Sequence, residues 1–164
     1  MRKYVIIAAI AVFGMSVNAQ EGLKAGVNLA IPVGDAGDAS GFSVGLDVLY
    51  HWSVSDDFNA GVATGFTNAF GKSIDTGIGT FEVPDVQFIP VAASGRFKAS
   101  DMISVGADLG YAIGINDGND GGFYYRPIVG YGVSDNIELN LSYTGISLDG
   151  ATWSTIALGV LFGL

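Results

Sequence analysis

The sequence predicts an all-β fold: one eight-stranded antiparallel up-and-down transmembrane β-barrel, preceded by an N-terminal signal peptide. Three observations carry this prediction. Apolar residues alternate with small or polar ones along eight successive segments of about ten residues, the period of a strand with one apolar face. Three near-identical pentapeptides, VSDDF (54–58), ASDMI (99–103) and VSDNI (133–137), lie between such segments and carry Ser-Asp turn chemistry. The composition is that of neither a soluble domain nor a helical membrane protein. Of 164 residues, 49% are hydrophobic and only 14% charged, where roughly 25% charged is usual. Beyond residue 19, Gly, Asp, Asn and Ser interrupt every apolar run before it reaches the about 18 residues a spanning helix needs.

Taken in order, residues 1–19 read as a removable secretory signal. Arg2 and Lys3 form a positive start, Tyr4 to Met15 an apolar core, and Val17-Asn18-Ala19 a cleavage site, leaving 20–164 as the mature barrel domain. The first strand alternates Leu23, Ala25, Val27, Leu29, Ile31 and Val33 with Lys24, Gly26, Asn28, Ala30 and Pro32. The second sets Phe42 to Trp52 against Ser43, Gly45, Asp47, Leu49 and His51, and the third sets Phe58 to Phe66 against Asn59 to Thr67. In the fourth, Ile89 to Phe97 oppose Phe88, Pro90, Ala92, Ser94 and Arg96. Because Pro90 cannot donate a ladder bond, a bulge or local break is expected there.

The fifth strand sets Ile103 to Ile113 against Ser104 to Gly114, with Asp108 on the second face. In the sixth, Phe123 to Val133 oppose Tyr124, Arg126, Ile128, Gly130 and Gly132, and Pro127 predicts another irregularity. The seventh sets Ile137, Leu139, Leu141 and Tyr143 against Glu138, Asn140, Ser142 and Thr144. The eighth sets Ile156 to Leu164 against Thr155 to Gly163. No apolar face holds a charge. The second faces hold Lys24, Asp47, Arg96, Asp108, Arg126 and Glu138 among many Gly, Ala, Ser and Asn. A soluble sandwich would turn those faces to water and load them with charge, whereas small residues suit a crowded, curved interior.

The three Ser-Asp connections are short, and the others, about 34–41, 68–85, 115–122 and 146–152, are longer. Barrels of this architecture have short periplasmic turns and longer outer loops, so the Ser-Asp turns and both termini are assigned to the periplasm. Tyr50, Trp52, Phe58 and Phe97 near the turns, and Phe42, Phe66, Tyr111, Phe123, Tyr125 and Tyr143 near the loops, form two aromatic girdles.

The signal ending NAQ, the strand FIPVAASGRF and the C-terminal WSTIALGVLFGL resemble the small outer-membrane barrels of the OmpA/OmpX type, the outer membrane protein beta-barrel domain family. The resemblance covers residues 20–164, with Leu164 where the family most often ends in Phe. It implies a location in the outer membrane, contact with outer-membrane lipids, and recognition of the C-terminal strand by the assembly machinery.

Several chemistries are weighed against these residues. The absence of cysteine excludes a lipidated N-terminal Cys and thiol chemistry. The formal charge of −9 becomes more negative once Arg2 and Lys3 leave with the signal, which argues against nucleic acid as a partner. His51 is the sole histidine and falls just before Ser55 at the turn end, away from the outer rim where the resemblance would place a lipid A-modifying enzyme's residues. An interior or rim role is expected for it. The loop NDGNDGG (116–122) aligns with a calcium loop from Asp117, but its twelfth position is Ile128 rather than Glu. No cofactor or metal is expected.

Inside, Lys24, Arg96 and Arg126 balance Asp47, Asp108 and Glu138, and Asp108, Arg96 and Arg126 stand close enough in register for one shared network. The inward glycines leave a narrow pore or local curvature as readings, with curvature preferred. The expected function is a non-enzymatic outer-membrane barrel anchoring surface loops for envelope integrity or surface contact. The alternatives are a narrow channel for small or apolar solutes and, third, a lipid A-modifying enzyme.

Overall fold

The computed structural model describes residues 22–75 and 79–164; the signal peptide expected over 1–19 lies outside the described residues. Eight antiparallel strands close into a barrel: β1 Leu23–Val33, β2 Ser40–Ser53, β3 Phe58–Gly71, β6 Val86–Lys98, β7 Ile103–Gly114, β8 Gly122–Ser134, β9 Ile137–Leu148 and β10 Ala151–Gly163. β1 closes on β10 from Lys24↔Gly163 to Val33↔Ser154, so the barrel sheet has no free edge. The remaining elements are a short helix α1, Asp35–Ala39, and a small hairpin of β4 Ser73–Asp75 with β5 Thr80–Glu82, both at the end opposite the termini.

In every strand the apolar face points outward. Leu158, Ile31 and Leu29 are 60–68% exposed, and the inward positions are buried or half-buried. This is the reverse of a water-soluble protein and suits a surface solvated by lipid. Leu109, at the middle of β7 and 53% exposed, tests the frame. Leu109→Arg is expected to cost about 2–4 kcal/mol in urea titrations of the refolded barrel, as a cation at the bilayer midplane should. The inward Ala63→Ser should lie much nearer wild type, and the opposite ranking would reverse the faces.

The structure departs from the sequence pattern at one connection and shows the expected irregularities at the two prolines. The expected long connection 146–152 is instead a two-residue turn. Leu148 pairs with Ala151 around Asp149-Gly150, with Gly150 at φ 84°, a backbone suited to Asp-Gly in a tight hairpin. The alternation fades there because outward-facing Gly145 has no side chain of its own; the ring of Tyr125 lies over it.

The prolines cause local breaks without bulges. Pairing lapses opposite Pro90 between Thr64↔Val91 and Thr67↔Phe88, and beside Pro127 between Tyr125↔Gly145 and Ile128↔Ser142, while the register stays in step. Thr64 Oγ1 donates to the Pro90 carbonyl at 2.8 Å. The shifts of register fall between Ser40 and Phe42 and between Gly132 and Ser134.

The three Ser-Asp turns lie together at the end that carries the barrel's first and last strand ends. In two of them the amides of Val54 and Ser55 bond the Phe58 carbonyl, and those of Ala99 and Ser100 bond that of Ile103, the same pattern twice. Ser100 Oγ additionally accepts from the Ile103 amide at 3.1 Å. The third is tightened by the Gly132/Ser134 bulge, so that Ser134 pairs directly with Ile137.

Candidate functional site

Among the described residues, the buried charges Asp47, Arg96, Asp108 and Arg126 all lie in the interior. Asp47 on β2 and Arg126 on β8 occupy opposite strands of the ring, yet Arg126 Nη1 and Nη2 reach Asp47 Oδ1 and Oδ2 at 2.7 and 3.1 Å. This bidentate pair spans the lumen. Arg126 Nε also donates to Ser142 Oγ (3.1 Å), and Asn28 Nδ2 donates to Asp47 Oδ2 (2.8 Å). Arg96 and Asp108 form a second bidentate pair across β6 and β7 at 2.8 and 3.2 Å. Lys24 reaches Glu138 Oε2 at 2.9 Å. The six inward charges thus form three pairs. Asp108 and Arg126 are direct register partners, but the guanidinium turns across the lumen to Asp47. The single network through Asp108, Arg96 and Arg126 is accordingly replaced by two separate bidentate bridges.

His51 joins the second of these. Its Nε2 lies 2.8 Å from Ser94 Oγ, which donates to Asp108 Oδ1 at 2.6 Å. Ser94 has one proton, and the carboxylate paired with Arg96 takes it, so His51 Nε2 carries the proton it donates to Ser94. A nucleophile–base pair would need the opposite direction, with the serine proton offered to the ring. Ser55, the neighbour in sequence, lies in the exposed turn.

The inward glycines are neither pore nor curvature alone. A Cβ on Gly45, Gly61 or Gly106 would meet Asn28 Nδ2, His51 Cδ2 or Arg96 Cδ at 2.6, 2.6 and 2.7 Å. Each glycine is the bed on which a long side chain of the neighbouring strand lies, so the missing side chains are the room that the polar groups occupy.

Toward the loop end the filling becomes apolar. Phe88, Tyr124, Ile146 and Trp153 pack with Ala69, Ala92 and Ala112, and the ring centroids of Phe88 and Trp153 are 6.0 Å apart. Ala36 of α1 is fully buried on this cluster as its cap. α1 is tied down by Lys72, whose ammonium donates to the Gly37 carbonyl and whose amide donates to that of Ala39. The void remaining between this plug and the Asp47–Arg126 bridge is about 30 Å³, room for about one water. Alternation alone overlooked Ile146 and Trp153. Continuing the inward parity from Thr144 to Ile146, and from Thr155 back to Trp153, would have found both.

In the 116–122 loop the two asparagines bond within the loop and to Gln87 of β6. Asn116 Oδ1 accepts from the Gln87 amide and from Asn119 Nδ2, and Asn119 Oδ1 accepts from the Gly121 amide. On the outer wall, Phe123, Tyr125 and Tyr143 form a run of neighbouring rings 6.2–6.3 Å apart near the loop end, and Tyr50 and Trp52 are neighbours near the turn end.

Solved structures share this architecture. Ail of Yersinia pestis in a phospholipid nanodisc is similar with a TM-score of 0.59 at 18% identity, over 87% of this chain and 99% of that one. Designed transmembrane β-barrels give 0.57 at 14% identity, over 89% and 99%. Neisserial surface protein A gives 0.52 at 19%, over 87% and 96%. No curated protein matches in sequence. The outer membrane protein beta-barrel domain matches residues 5–162, and the chain belongs to that family: it is a small transmembrane β-barrel of the outer membrane.

Proposed function

We propose that this barrel is a closed, non-enzymatic anchor that displays its loop end at the cell surface, for envelope integrity or surface contact. In this reading residues 1–19 are the signal peptide, 20–164 the mature domain, and the Ser-Asp turns and termini face the periplasm. The observation that carries it is the lumen, which is crossed by the Asp47–Arg126 bridge and filled above it by the Phe88–Trp153 plug. Two seals in series, with a void of about 30 Å³ between them, argue against a solute channel. The direction of the Ser94 proton argues against acyl chemistry. In a planar bilayer the wild-type protein is expected to be electrically silent, and steady ohmic currents would reject the anchor in favour of transport.

Attachment and invasion in the name of Ail, and the surface protein of Neisseria, provide the precedent for surface contact. Ail has been crystallised with a sulfated heparin analogue. The loop end of this chain, with Asp35, Asp38, Asp85, Asp117, Asp120 and Asp149 against Lys72, would repel such a polyanion. Any surface partner is therefore neutral or cationic.

Orientation is tested directly because the chain has no native cysteine. Cysteines at Asp38 or Asp149 should react with an impermeant thiol reagent on intact cells. Those at Asp56 or Asp135 should react only after the outer membrane is opened; the reverse pattern would invert the assignment.

A further inference from the structure

The two halves of the lumen differ. At the loop end the inward side chains are sealed. At the turn end Lys24, Gly132 and Glu138 are half-exposed around a void of about 450 Å³, and Ser104 beside Glu138 is half-exposed as well. At the inner end of this vestibule, the Lys24 ammonium and the Glu138 carboxylate stand side by side at 2.9 Å, with the Lys24 side chain 36% exposed.

Two further features surround that pair. A Cβ on Gly130 would lie 2.5 Å from both Glu138 Oε1 and Ser104 Oγ, so these oxygens converge above a residue that supplies only backbone. The next inward residue of β9, Asn140, is 3% exposed, and neither its Nδ2 nor its Oδ1 has a hydrogen-bond partner. A buried carboxamide with both ends unmatched is unfavourable, and it lies one inward position beyond Glu138.

From this arrangement we infer that the turn-end vestibule is a blind binding pocket for a small zwitterion of the amino-acid type. The ligand's ammonium is taken by Glu138 Oε1 and Ser104 Oγ above Gly130, its carboxylate by Lys24, and its aliphatic part lies toward Leu161 and Met102, which also line the void. Because the Lys24–Glu138 pair presents one charge of each sign, a ligand carrying both charges can engage both members, whereas a lone cation or a lone anion can engage only one. Asp101 and Asp135 at the mouth favour approach with the ammonium leading. The Asp47–Arg126 bridge and the plug beyond it block passage, so binding does not become transport. The site is independent of what the loop end contacts, and its failure would leave the surface-anchor reading untouched.

The test uses the refolded barrel in nanodiscs, with backbone amide shifts followed by NMR while three probes of similar shape are titrated. L-leucine carries both charges, leucinol only the ammonium and 4-methylpentanoate only the carboxylate. Leucine is expected to shift the Gly132, Glu138 and Leu161 resonances saturably, with a dissociation constant on the order of 1 mM, and each half-ligand to bind at least about tenfold more weakly. Gly130→Ala sets a methyl group against the Glu138 carboxylate and the Ser104 hydroxyl. It should keep the loop-half spectrum and weaken leucine binding by about tenfold. Lys24→Met should bring leucine down to the affinity of leucinol, and this variant decides the matter if Gly130→Ala refolds poorly. Shifts that never saturate, equal response to the three probes, or leucine binding untouched by both substitutions would show a merely wet mouth and overturn the pocket.

Discussion

Asp108→Ala is expected to destabilise the barrel by about 3–5 kcal/mol, the cost of removing one member of a buried ion pair. Asp108 is fully buried and accepts three hydrogen bonds, two from Arg96 and one from Ser94. Its loss leaves a guanidinium only 7% exposed without a counter-charge and frees Ser94 and His51 from their fixed direction. Urea titration of the refolded protein measures the effect. Arg96→Met combined with Asp108→Leu should recover most of the loss, because the penalty lies in the stranded charge and not in the absence of a bridge. A double variant as unstable as Asp108→Ala would mean that packing around the pair matters more than its charges. The apolar plug is intact in this variant, so it should remain electrically silent.

Trp153→Ala should cost a similar amount, about 3–5 kcal/mol, for a different reason: it empties a large aromatic volume that neighbouring strands cannot collapse to fill. Trp153 is 8% exposed and packs on Phe88 beneath α1, whereas Trp52, the other tryptophan, is 49% exposed on the outer wall. Fluorescence separates them. Aqueous iodide should quench neither strongly in the wild type, and a brominated lipid should quench Trp52 alone, so the emission left in Trp52→Phe reports the plug. Trp153→Ala leaves the Asp47–Arg126 bridge in place and should be destabilised without conducting. Joined to Asp47→Ala, which removes the bridge across the lumen, it should give fluctuating currents. A conducting Trp153→Ala single variant would show that the ionic layer is not a seal.

The period of two was enough to assign faces because lipid on one side and a crowded interior on the other demand different residues at successive positions. That is why the inward set from Lys24 to Glu138 is legible in the sequence alone. Where a position had no side chain to vote, the pattern failed. Gly145 silences the alternation, and the ends of β9 and β10, with Ile146 and Trp153, read as loop in the sequence. The helix α1 was invisible for another reason. DAGDA has neither a side-chain cap nor a basic last turn, and Ala36 is held by burial on the plug.

The partners of the inward charges needed closure. Asp47 and Arg126 are 79 residues apart in the chain and on opposite strands of the ring, and no spacing in the sequence relates them. Parity is a local property, written by each strand's own contacts with lipid. Pairing across the lumen depends on strand number, register and the short reach across a narrow barrel, which exist only once β1 has met β10.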